Sequence, residues 1–101
     1  MAIMTGLMLA GLLATGEAPD MRVESRGLDL ARPGEALVLA ERIRTASRDW
    51  CAAYRVVLTP DQVGDPRVCE AEMRRRASHA LPMAQRILFI RAGGQRALNR
   101  P

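Results

Sequence analysis

From Pro33 onward the apolar positions of the chain fall at three- and four-residue steps. Ala36, Leu39, Ala40, Ile43, Ala46, Ser47, Trp50 and Tyr54 trace one mostly apolar stripe, while Glu41, Arg44, Arg48 and Asp49 lie largely outside it. This is the period of a helix with one buried face, and it predicts a helix over 33–53. Pro33 suits the first helical position, because its missing N–H would have no partner there, and Glu35 suits the positive end of the helix dipole. Between Tyr54 and Gly64 the pattern breaks. Thr59-Pro60-Asp61 and Gly64-Asp65-Pro66 carry turn chemistry, and Val56-Val57-Leu58 reads as a short apolar patch tucked over the helices. Asp65 can accept an orphan backbone N–H and Pro66 can open the first turn, which predicts a second helix over 66–80 with a narrow inner stripe of Cys69, Met73, Ala77 and Ala80.

The flanks are less regular. In 21–26, Met21 and Val23 alternate against Arg22 and Glu24, a faint strand period. Pro82 ends the second helix by removing a donor and restricting Leu81. Met83 to Arg91 fits either a short helix or, through Ile87-Leu88-Phe89-Ile90, a strand beside 21–26. Residues 92–101 read as a flexible, frayed tail, and Gly93-Gly94 lacks the strand-loop-helix context of a phosphate cradle. The expected fold class is therefore mainly α: an antiparallel two-helix hairpin with a short N-terminal strand and a short strand or helix near the C-terminus.

Residues 1–18 differ in character from the rest. No charged side chain occurs before Glu17, and the apolar run is shorter than the roughly 20 residues a spanning helix needs. It fits the core of a secretory leader, with small residues for cleavage at Ala14-Thr15-Gly16 or at Gly16-Glu17-Ala18; the competing reading is an uncleaved helix buried in the fold or lying on a membrane. The basic residues that usually begin a leader are missing. The expected organisation is a signal peptide over 1–18, a helical-hairpin domain over 19–91 and the tail over 92–101. The mature chain is expected to have no transmembrane helix.

Such a domain is small. One core of that size gives roughly 3–5 kcal/mol, and only Trp50, Tyr54 and Phe89 are aromatic. The two cysteines matter for that reason. Cys51 lies near the end of the first predicted helix and Cys69 near the start of the second, so antiparallel packing brings them to the same end of the hairpin. A disulfide closing this loop contributes about 3 kcal/mol in the chain-entropy model, and it implies an oxidising compartment. Intermolecular pairing remains the competing arrangement. A zinc site wants four ligands, against two distant cysteines and one histidine, and the Cys-x-x-Cys spacing of a redox pair is absent. No metal or other cofactor is expected.

Charge and side-chain chemistry add little that is specific. The net charge is +4, and all fifteen basic residues are arginine, a bias that reads as a GC-rich coding background. Arg74-Arg75-Arg76 resembles a nucleic-acid patch, but three consecutive helical residues fan out across about 200°, and no aromatic residue interleaves with them to stack bases. His79 is the only histidine, so any general-base scheme runs through it. Ser47 and Asp29 are the remaining residues around which an active site could assemble. Trp50 and Tyr54 could stack a ligand, although a core this short of bulk needs its only Trp.

Val23, Gly27-Leu28-Asp29-Leu30, Pro33-Gly34, Leu39, Arg42-Ile43, Ala46, Trp50-Cys51, Cys69-Glu70-Ala71-Glu72-Met73, Ala77 and Ala80 occur in an order that resembles the UrcA family of small bacterial proteins. That family combines a leader, a short strand, an Asp-Leu-Asp-Leu type turn, a helix ending in cysteine and a second cysteine opening another helix. The likeness covers about 21–82. Gly27 departs from it at the first aspartate, Ala31-Arg32 replaces the usual hydroxyl residue before proline, and Ser78-His79 replaces an Ala-Val run. Losing that hydroxyl cap costs about 1 kcal/mol unless Asp29 reaches the free N–H groups instead. The resemblance implies export to the periplasm or beyond and brings no catalytic residue with it.

The functional expectation is a small exported, disulfide-stabilised, non-enzymatic protein, periplasmic or secreted, that binds an envelope component or a protein partner. The alternative is a basic cytoplasmic nucleic-acid-binding or regulatory module, disfavoured because the arginines form no single face. An enzyme built around His79, Ser47 or Asp29 ranks last.

Overall fold

A computed structural model describes residues 18–58 and 64–100. Four helices follow one another: α1 Pro33–Leu58, α2 Pro66–Ala80, α3 Met83–Arg91 and α4 Gly94–Leu98. The expected leader and the Thr59-Pro60-Asp61 turn lie outside the described residues, apart from Ala18.

The two main helices stand where the periodicity puts them. Ala36, Leu39, Ala40, Ile43, Ser47 and Cys51 are the buried face of α1. That helix runs five residues further than expected, because nothing between Ala53 and Leu58 breaks it. Leu58 still falls on the inward side and packs on the cysteines. Val56 and Val57 are exposed, not tucked over the helices. At the start of α2 the Asp65 carboxylate accepts from the Arg67 N–H at 3.0 Å and Pro66 fills the first position. The inner stripe of α2 differs at its end: Cys69 and Met73 are buried, Ala77 is half-buried, and Ala80 is exposed. Ser78 is buried instead, its hydroxyl donating to the Arg75 carbonyl at 3.2 Å.

The missing hydroxyl cap of α1 is replaced locally. Asp29 does not reach the helix; its carboxylate accepts from the Ala31 N–H at 3.1 Å and tightens the preceding turn. Glu35 reaches back instead, accepting from the Asp29 N–H at 2.7 Å and lying 3.6 Å from the Arg32 guanidinium. An acidic side chain in the first turn thus joins the entering chain to the helix.

Two expectations are overturned. Residues 21–26 form no strand, and no strand occurs among the described residues. The backbone of this segment is engaged by side chains of α1 rather than by a sheet: Arg42 Nη1 donates to the Glu24 carbonyl at 2.8 Å, and Trp50 Nε1 donates to the Pro19 carbonyl at 2.8 Å. With no strand to pair, 83–91 takes the helical alternative as α3, putting Phe89 inward. The tail is also not frayed. Gly93 adopts φ +93, a left-handed conformation that glycine enters without steric penalty. It turns the chain into α4, which carries the fully buried Leu98 back onto α1.

The core has two parts. Leu30, Ala36, Leu39, Ala40, Ile43, Phe89 and Leu98 form the larger, with Val23 and Leu28 packed at its edge. Cys51, Cys69 and Met73 form the smaller, covered by Met21, Trp50 and Leu58. Phe89, not Trp50, is the large aromatic at the centre.

Candidate functional site

Cys51 and Cys69 form a disulfide with their Cα atoms 5.9 Å apart, joining α1 to α2. The helical hairpin brings the two sulfurs together, as its antiparallel packing requires, and no free cysteine remains. Both residues are buried.

Beside the disulfide the N-terminal segment, α1 and α2 border an open cleft of about 720 Å³. Met21, Val23, Leu39, Ile43, Trp50 and Met73 contribute apolar walls, and Asp20 and Arg76 are its charged lining residues. Trp50 is held there by its bond to Pro19 and by Tyr54, whose ring lies 5.3 Å away at a 50° tilt. Met21 and Val23 belong to this wall because their alternation points both side chains to one side. That alternation is real in the sequence, but it serves an extended segment laid on a helix rather than a strand in a sheet.

The residues that could have formed an active site are not brought together. Ser47 is fully buried, with no hydrogen-bond partner for its hydroxyl among the described residues. His79 is exposed on α2. Its Nδ1 lies 3.2 Å from Arg86 Nη1. A guanidinium can only donate, so Nδ1 is the acceptor in this contact. Asp29 is engaged in its own turn. Among the described residues no three His, Cys, Asp or Glu side chains gather in an arrangement able to hold a metal ion.

The arginine run also divides. Arg75 binds Glu72 through two bonds, Nε to Oε1 at 3.0 Å and Nη2 to Oε2 at 2.6 Å, and Arg76 Nε adds a third at 2.8 Å. These hydrogen bonds hold the Glu72 carboxyl down to about 2, from an ordinary 4.5. Arg74 lies 4.0 Å from Glu70 on the neighbouring face. Glutamates one turn back thus compensate the run.

The uncompensated charge lies further on. Residues 73–101 contain seven arginines and no carboxylate side chain. Four of them, Arg86, Arg91, Arg96 and Arg100, follow Pro82, and none has a carboxylate partner among the described residues. Arg74, Arg75, His79, Arg86, Gln95 and Asn99 border a hollow of about 530 Å³ between α2, α3 and α4. This hollow is not legible in the sequence, because it exists only once Pro82 and Gly93 have folded the C-terminal segment back. The lone signal was the absence of acidic residues after Glu72.

No helix among the described residues is long and apolar enough to cross a membrane. No family model, curated protein or solved structure matches the chain.

Proposed function

We propose that this is an exported, non-enzymatic helical protein that works in the periplasm or outside the cell by binding an envelope component or a partner protein. The observation that carries the proposal is the buried Cys51–Cys69 disulfide across the loop end of the hairpin. Such a bond persists where thiols are kept oxidised. The UrcA-like order of residues and the apolar, uncharged stretch before Glu17 support the same location. Binding rather than catalysis is favoured because Ser47 is buried, His79 exposed and Asp29 tied into a turn. The test is an intact-mass spectrum of protein taken from fractionated cells, before and after reduction and alkylation. The proposal requires a shortened N-terminus and an intact disulfide in the exported fraction; free thiols on a cytoplasmic chain that begins at Met1 would refute it.

One observation favours a second reading, a basic cytoplasmic module for nucleic acid: the four C-terminal arginines without carboxylate partners among the described residues. Phosphate-driven binding would weaken steeply with salt, with a slope set by the number of phosphates contacted.

A further inference from the structure

The outer face of α3 combines two features that nothing in the hairpin explains. Met83, Ile87 and Ile90 are 64%, 41% and 50% exposed. At about 100° per residue these three side chains share an arc of about 60°, so they form one stripe pointing away from Phe89, which fixes the opposite side of the helix in the core. Arg86 flanks the stripe on one side and Arg91 on the other. The Arg86 guanidinium contacts His79 Nδ1 and the Met83 sulfur, neither of which neutralises it. Ile90 and Arg86 also border the basic hollow, so the apolar stripe and the hollow share an edge.

We propose that this face is a docking surface for an anionic phospholipid bilayer. The stripe enters the headgroup and acyl boundary, and arginines beside it meet lipid phosphates, with the hollow placed to take a headgroup. The argument is charge complementarity. An interfacial helix needs apolar side chains on one face and cations at its margins; beyond Arg74, Arg75 and Arg76, which pair with Glu70 and Glu72, the C-terminal segment adds Arg86, Arg91, Arg96 and Arg100 and no acidic side chain. Arginine stems suit the position because they lie along apolar surface while the head reaches the phosphates. A second copy of the chain fits less well, since two such faces would oppose arginine to arginine. Nucleic acid would use the arginines but gains nothing from three exposed aliphatic side chains, and the one aromatic ring of α3, Phe89, is buried. The proposal goes beyond export. Vesicle binding is measured on purified protein, so its failure leaves the location untouched, and a cytoplasmic location leaves the vesicle result standing.

The experiment is flotation of the full disulfide-bonded protein with vesicles of phosphatidylcholine alone or mixed with phosphatidylglycerol. The protein is expected to float with the mixed vesicles and not with the neutral ones, and to be released by salt. Arg86→Gln with Arg91→Gln should weaken binding about 10- to 30-fold, the effect of two cationic contacts at an anionic surface. Ile87→Ser with Ile90→Ser should weaken it by at least ~10-fold with the thermal midpoint retained, because both side chains are already exposed. Equal binding to both vesicle types, or to neither, overturns the proposal. So does binding that ignores the isoleucine substitutions and is matched by a single-stranded oligonucleotide at the same salt, which would mark a general polyanion surface. Concentration-dependent dimers that disappear in Ile87→Ser would assign the stripe to a second copy and overturn it as well.

Discussion

Gly94 lies against the ring of Phe89 so closely that a β-carbon at position 94 would overlap three ring atoms. Phe89 is fully buried at the centre of the main core and cannot yield without moving its neighbours. Gly94→Ala should therefore destabilise the protein by about 1–3 kcal/mol, the usual effect of overpacking. Two other glycines serve as controls. Gly93→Ala meets open space but forces a side chain into φ +93, at about 1–2 kcal/mol. Gly34→Ala, in open space within α1, should stabilise by about 0.5 kcal/mol. Urea midpoints of Gly94→Ala and Gly93→Ala should both lie below that of the parent, and only Gly34→Ala above it.

Besides Leu98 burial, one side chain of α1 ties down the end of the C-terminal helix. Arg44 Nη1 donates to the Arg100 carbonyl at 2.9 Å and lies 3.4 Å from those of Ala97 and Leu98. Helix ends leave carbonyls without partners, and a guanidinium there satisfies them and suits the helix dipole. Arg44→Met keeps the apolar stem and removes the donors. It should cost about 1 kcal/mol and, by hydrogen exchange, release the amides of 94–100 well before those of α1. Unchanged protection in 94–100 would show that Leu98 burial alone anchors α4.

These relationships explain what was legible in the sequence and what was not. A helix with one buried face writes its period into the chain, so α1, α2 and the meeting of Cys51 with Cys69 could be read directly. The ambiguity at Ile87-Leu88-Phe89-Ile90 had a physical origin: four consecutive apolar residues satisfy both periods, and the choice rests on whether a neighbouring strand exists. None does among the described residues, because Arg42 and Trp50 occupy the carbonyls of Glu24 and Pro19, contacts between residues 18 and 31 positions apart that no local pattern encodes. The order of the tail escapes a local pattern for the same reason. Gly93-Gly94 looks like a breaker, and its value as a corner and a close-packed contact appears only against Phe89. The basic hollow needed three helices in place before it existed.

Ser47 offers a test of whether the buried hydroxyl has a role. Its side chain is fully buried and without a hydrogen-bond partner among the described residues, a state that costs free energy. Ser47→Ala should be neutral or stabilising by up to ~1 kcal/mol in thermal melts. A loss of more than that would mean the hydroxyl holds something in the folded protein, and would revive it as a functional group.

Acid should act on the surface of α2. The Glu72 carboxyl titrates near 2 in the folded protein, below its ordinary 4.5, because Arg75 and Arg76 bond to its charged form. A lowered folded value means that the charged form stabilises the fold above about pH 4.5, and that this contribution is lost as the pH falls toward 2. Glu72→Gln removes the dependence. The difference in urea midpoint between parent and variant should be largest near neutral pH and close progressively below about pH 4.5. A difference that stays constant down to pH 2 would mean that shape, not charge, sets the effect. The gap should also shrink with salt, since the network is partly exposed.

The disulfide bears the greatest weight, because it restrains the chain between the two longest helices and forms most of the smaller core. Closing a loop of 18 residues contributes about 3 kcal/mol, comparable with the whole margin of a domain this small. Cys51→Ser should lower the unfolding midpoint by that order. The remaining Cys69 is buried against Met73 and Trp50, so alkylation should follow local opening of the hairpin instead of occurring at the rate of an exposed thiol. Cys51→Ala with Cys69→Ala separates the bond from the buried hydroxyl that serine introduces, and should fall by a similar amount. Trp50 is the chain's only tryptophan, and it packs on the disulfide while lining the apolar cleft. Its emission should shift to the red on reduction as α1 and α2 separate at their joined end. A reduced protein that keeps both its midpoint and its Trp50 emission would mean that helix packing alone holds the hairpin.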